Sequence, residues 1–117
     1  MSCLFHSLSY FFKEDYQVIR LKICNYLEQN RPILEGMETR DILAMDSPNY
    51  VSNMRKPSTW GGAIEIQVAC ILWNVQIHVF NYRDRTTKNM IFVPLHRPTN
   101  RYIKIYWTGG HYEPIKI

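Results

Sequence analysis

No apolar run in this 117-residue chain is long enough to span a bilayer. The first twelve residues are rich in Phe and Leu but lack a basic leader, so a signal peptide is not expected. Cysteine is scarce and odd in number: Cys3, Cys24 and Cys70, with no Cys-x-x-Cys pair. That excludes a disulfide framework and points to free thiols in a reducing compartment, with the cytoplasm as the expected location. There is no His-Glu-x-x-His motif and no paired Cys spacing, so neither metal nor cofactor is expected. Internal repeats, low-complexity tracts and linkers are absent as well. Acidic residues are outnumbered, at a net charge of +4, but the basic residues are spread along the chain. Without a basic face, a nucleic-acid partner is not expected.

What is present suits one compact domain over residues 1–117. Hydrophobic residues make up 46% of the chain and aromatics 14%, enough for a core and too much for wholesale disorder. Residues 3–12 read as a helix with an apolar stripe of Leu4, Leu8, Phe11 and Phe12, with Ser2 as N-cap and Cys3 in the first turn. A second helix runs from Tyr16 to Gln29 behind Asp15, with Ile19, Ile23, Tyr26 and Leu27 on one face. Short helical turns are expected from Thr39 or Asp41 and from Ser47 to Asn53. Ala63–Trp73 is apolar nearly all round and should be buried on most sides. Its one charge, Glu65, falls in the first turn, where unpaired backbone N–H groups meet a carboxylate.

After Asn74 the period changes to two. Strands are expected from Val75 to Tyr82, Met90 to Val93, Tyr102 to Trp107 and Tyr112 to Ile117. Arg83 to Asn89 should be a polar turn, and Thr108-Gly109-Gly110-His111 a tight hairpin whose glycines supply positive φ. Helices first and a mostly antiparallel sheet afterwards give the α+β class.

The two ends of the chain together supply a thiol, an imidazole and a carboxylate. A free Cys is most often a small buried hydrophobe, which fits Cys24 and Cys70 inside helices. Cys3, at a helix N-terminus, is better placed to ionise, but a helix end contributes only about 0.3–1 kcal/mol, less than one pKa unit. A neighbouring imidazolium is needed as well. His6, one turn after Cys3, could face it, but on a short helix that spacing serves packing more often than catalysis. His78 belongs to a strand and His96 to a Pro-bounded loop. His111 follows the Gly-Gly turn, and Glu113 lies two residues on, on the same face of a strand. A carboxylate there can fix the ring's tautomer and stabilise its charged form.

Three segments, Cys3-Leu4-Phe5-His6-Ser7-Leu8, Trp60-Gly61-Gly62-Ala63-Ile64-Glu65-Ile66 and Gly110-His111-Tyr112-Glu113-Pro114-Ile115, stand in an order and spacing that resembles the OTU (ovarian tumour) domain cysteine proteases. The strand Ile77-His78-Val79-Phe80-Asn81 is similar too. The resemblance implies a papain-like fold with a small, mostly antiparallel sheet packed between helices. It implies a deubiquitinase that hydrolyses isopeptide bonds after ubiquitin's C-terminal Gly-Gly, with ubiquitin or ubiquitinated proteins as partners. Cys3 then matches the nucleophile, His111 the general base and Glu113 the third catalytic residue, where many members carry Asp or Asn. Trp60 to Glu65 matches a segment that builds the core beside the cleft and receives no catalytic role.

The family's opening motif is Asp-Gly-x-Cys. Here Ser2 holds the x position, Met1 stands where Gly belongs and the Asp has no counterpart. The chain therefore reads as an OTU-like domain truncated just before Cys3, without the Asp-Gly loop. Loss of one oxyanion donor typically costs about a hundred- to a thousandfold in rate. A catalytically inactive, ubiquitin-binding or interaction module accordingly stays open as the alternative. A small basic domain that stacks nucleic-acid bases on Tyr102, Tyr106 and Tyr112 is a third reading, weaker than ordinary strand aromatics. A monomer is expected, without membrane association.

Overall fold

The computed structural model describes residues 2–83 and 88–116. Five helices precede four strands: α1 (Cys3–Phe12), α2 (Tyr16–Glu28), α3 (Thr39–Asp46), α4 (Tyr50–Met54), α5 (Ala63–Trp73), β1 (Gln76–Asn81), β2 (Met90–Phe92), β3 (Tyr102–Trp107) and β4 (Tyr112–Pro114). Most of the expected turn from Arg83 to Asn89 lies outside the described residues.

The helices form where the apolar period and the end signals agree. In α2 the Asp15 carboxylate accepts from the Gln17 N–H at 2.8 Å, and Ile19, Ile23, Tyr26 and Leu27 are all buried, as the spacing requires. In α1, Leu4 and Leu8 are buried together with Phe5, and Phe11 and Phe12 pack at the edge of the same core. Ser2 does occupy the N-cap position of α1, but its hydroxyl does not cap the helix. It donates instead to the Pro57 carbonyl and accepts from Arg20, both at 3.2 Å.

The sheet has the order β2-β1-β3-β4. Its two outer pairings are antiparallel, as expected for most of the sheet. The central and longest pairing, β1 with β3, is parallel from Gln76↔Tyr102 to Asn81↔Trp107. Parallel neighbours need a long crossover, and here the connection contains β2, which turns back along the free edge of β1. The inward positions Ile77, Val79 and Ile105 are buried in the same core as the apolar residues of α1 and α5. Helix α5 packs on β1 and β2, and α1 packs along β4. That last contact brings the first helix of the chain against its last strand.

Glu65 does what its place in the first turn of α5 suggests, but fully buried. Its Oε1 accepts from the Gly62 N–H at 2.7 Å, and its Oε2 accepts from the Tyr50 hydroxyl at 2.6 Å. Burial pushes the carboxyl up from its ordinary value, and the two donors pull it partly back. Burial and the Glu65 carboxylate push the Tyr50 phenol far up, so it remains a donor. With its pKa raised on folding, Glu65 binds more protons in the native state than in the unfolded chain. Its contribution is therefore fullest below the ordinary carboxylate value and fades as pH rises through the raised one. Replacing Tyr50 with Phe removes a donor to the charged form, so it should cost about 1–3 kcal/mol at neutral pH. Urea titrations at neutral and acidic pH check the sign: the loss should shrink once Glu65 is protonated.

Candidate active site

Packing of α1 on β4 creates a cleft of about 740 Å³ lined by Cys3, His6, Trp60, His111, Tyr112 and Glu113, among others. Each wall is fixed by local chemistry. In the first turns of α1 the His6 N–H donates to the Ser2 carbonyl at 2.9 Å, and the buried Ser7 hydroxyl donates to the Cys3 carbonyl at 2.9 Å. Facing it, the turn before β4 closes through the Thr108 N–H, which donates to the His111 carbonyl at 3.0 Å. Only Gly109 of the Gly-Gly pair has a positive φ, +106°. Gly110 lies beside the Trp60 ring, where a Cβ would stand at an ordinary contact distance of 3.5 Å.

His111 and Glu113 meet as the two-residue spacing requires: Nε2 of the ring lies 2.6 Å from Glu113 Oε1. The pair is about half exposed, with side-chain accessibilities of 52% and 44%, and its contribution to stability is accordingly small. With Nε2 engaged by a carboxylate, Nδ1 is the ring nitrogen left for other chemistry. Glu113 is held in register opposite Tyr106.

The three cysteines divide sharply. Cys24 and Cys70 are buried, and burial pushes their thiols up to about 11 and about 12. They are inert hydrophobes at neutral pH. Cys3 is half-buried at the cleft. Neighbouring Tyr112 has its phenol pushed up, chiefly by burial and further by the Cys3 thiolate and Glu65. Of the remaining histidines, only His6 borders the cleft. His6 stacks on Tyr16 with centroids 3.8 Å apart, and His78 stacks on Tyr102 while its Nε2 lies 3.0 Å from Gln76 Oε1. His96 is exposed in a loop at φ +60°.

Arg20 is the residue that sequence reasoning did not find. It is buried, and burial pushes its guanidinium down from the ordinary value. The group donates to the carbonyls of Met54 at 2.7 Å, Thr59 at 3.0 Å and Pro57 at 3.3 Å, and to Ser2 Oγ. It also lies 4.2 Å from the centre of the Phe5 ring. One side chain thus ties the residue before Cys3 to the segment that leads into Trp60. Among the described residues no group of three or more His, Cys, Asp or Glu gathers as a metal site, and no helix is long and apolar enough to cross a membrane.

Cys3 at the start of α1 and the His111–Glu113 pair line one cleft, which gathers the groups that a thiol hydrolase uses. The family model of the OTU-like cysteine proteases matches residues 2–112, and the chain belongs to that family. Among curated relatives, Ubiquitin thioesterase OTU1 of Dictyostelium discoideum is 23% identical over 99% of this chain. Ubiquitin thioesterase otu2 of Schizosaccharomyces pombe is 28% identical over 97%. The chain spans only 35% and 42% of those two proteins. Among solved structures, an OTU domain in complex with ubiquitin superposes with a TM-score of 0.76 at 30% identity, over 97% of this chain and 62% of that one. The viral OTU protease of Dera Ghazi Khan virus shares the fold, with a TM-score of 0.68 at 20% identity, over 97% of this chain and 72% of its own.

Proposed function

We propose that the chain is the catalytic core of a thiol-dependent deubiquitinase, with Cys3 as nucleophile, His111 as general base and acid, and Glu113 as the residue that orients His111. The observation that carries this reading is the 2.6 Å contact between His111 Nε2 and Glu113, in the cleft that Cys3 also lines. His111 Nδ1 takes the Cys3 proton, and the thiolate adds to the carbonyl carbon at the end of ubiquitin. The tetrahedral intermediate collapses as His111 gives its proton to the leaving lysine amine, leaving a thioester. Water, deprotonated by His111, attacks the thioester. Collapse expels the Cys3 thiolate and releases ubiquitin's carboxyl group.

Both tetrahedral intermediates carry an oxyanion. The first-turn N–H groups of α1 carry no side-chain cap, because Ser2 points to Pro57 and Arg20. Those near Ser2 and Cys3 are therefore the chain's own oxyanion donors. A reducing compartment, with the cytoplasm as the expected one, keeps the Cys3 thiol free.

Incubation with lysine-linked diubiquitin, alongside a ubiquitin titration, tests the proposal. Release of monoubiquitin that is blocked by thiol alkylation supports it. Ubiquitin binding with no release would favour a non-catalytic binding module instead.

A further inference from the structure

The cleft has a second end, which the chemistry above does not use. Cys3, His6 and Tyr10 recur at the three- and four-residue spacing that puts side chains on one face of a helix, and all three line the cleft from α1. Seven residues of helix separate the thiol from Tyr10, a rise of about 10 Å. Trp60 stands by the first turn of α1, since a Cβ on the adjoining Gly61 would lie 2.8 Å from Leu4 Cδ2. Tyr10 therefore marks the end of the cleft away from Trp60.

That far end is basic. Tyr10 is 41% exposed, and two ammonium groups share its ring: Lys13 Nζ lies 5.0 Å from the centroid and Lys116 Nζ 5.1 Å. The ring attracts each of them, so two positive charges gather at one residue although they repel each other. Both lysines are exposed, and neither pairs with a carboxylate among the described residues. Lys116 lines the cleft itself, and the one carboxylate in that lining, Glu113, is taken up by His111. At the other end the polarity is reversed: the cavity next to Trp60 is bordered by Asp46 and Glu65 and, among the described residues, by no basic side chain.

We propose that the basic end is a subsite for an acidic side chain close to the linked lysine, on the leaving side of the scissile bond. The proposal rests on the deubiquitinase reading and adds a substrate preference to it. Ubiquitin's C-terminal tail is itself basic, so this end repels it and is left to the lysine-bearing partner. A span of about 10 Å is three residues of extended chain, so an acidic residue beside the linked lysine can reach Lys13 and Lys116.

The test uses ubiquitin joined by an isopeptide bond to the lysine of a fluorescent peptide, with Glu, Gln or Arg on both sides of that lysine. The fall in fluorescence polarisation gives kcat/KM, and binding of the intact conjugates to Cys3→Ala protein gives Kd. Exposed ion pairs are individually weak, so the Glu form should be preferred to the Gln form about fivefold in low salt. The preference should shrink in ~0.5 M salt, which screens exposed charges. In the Lys13→Gln, Lys116→Gln double variant the ratio should fall to about one. Lys13→Gln with Lys116→Glu should turn the preference to the Arg form. A ubiquitin aminocoumarin conjugate has no side chain on the leaving side, so both variants should turn it over as the unaltered protein does. Thermal melts show whether each variant is folded. No preference in the unaltered protein, or an unchanged ratio in a folded double variant, overturns the proposal. Should the conjugates bind without turnover, the catalytic reading fails and the Kd ratios still decide the role of the two lysines. Absence of both binding and turnover defeats the two together.

Discussion

Replacement of His111 by alanine should lower kcat/KM for a ubiquitin conjugate by at least about four orders of magnitude, which is the scale on which members of a nucleophile–base set fail when removed singly. Without the imidazole, the Cys3 thiol loses the base that takes its proton. The leaving amine also loses its proton donor. Glu113→Gln keeps a hydrogen-bonding group near Nε2 but removes the charge, so it should cost less, about ten- to a hundredfold. The ordering of the two losses is informative. If Glu113→Gln were as damaging as His111→Ala, Glu113 would be more than an orienting group. Steady-state kinetics on both variants, with circular dichroism to confirm folding, makes the comparison.

Arg20→Met should be the most destabilising single change outside the apolar core. The methionine matches the aliphatic stem but leaves the carbonyls of Met54, Pro57 and Thr59 without their charged donor. Hydrogen bonds from charged groups contribute about 1.5–3 kcal/mol each and are not additive, so a loss of about 3 kcal/mol is expected. For a chain of this size that corresponds to roughly 10 °C in Tm. Activity should fall further than the folded fraction does, because Arg20 also holds Ser2, the residue before Cys3. Differential scanning calorimetry and turnover at a temperature where both proteins are folded separate the two effects. A Tm change within 2 °C, on the order of the shift from a weak surface contact, would contradict this account of Arg20.

The helices and strands were legible because each local signal agrees with its neighbours. Asp15 precedes the apolar face of α2, and the change of period after Asn74 marks the start of the sheet. The His111–Glu113 contact was legible from strand geometry alone, whereas the link to Cys3 came from the order of three motifs. Arg20 was not legible. It stands beside Ile19 in an amphipathic helix, where a lone arginine reads as a solvated residue. Its burial depends on Ser2 and residues 54–59 closing over it. Glu65 was placed in the first turn of α5 by sequence, but nothing local shows that Tyr50, fifteen residues earlier, supplies its second hydrogen bond. The parallel pairing of β1 with β3 is invisible to period-two patterning, which gives faces but not neighbours. In the Gly-Gly turn, residue type suggested two positive φ angles. Only Gly109 has one, and Gly110 keeps a φ open to any residue.

The central claim is that Cys3 is the nucleophile. Ubiquitin carrying an electrophile at its C-terminus tests it most directly, read by intact mass and by peptide mapping. The account predicts one ubiquitin adduct per chain, on Cys3, absent from Cys3→Ala and left intact by Cys24→Ala and Cys70→Ala. An adduct on Cys24 or Cys70, or labelling that persists in Cys3→Ala, would contradict it.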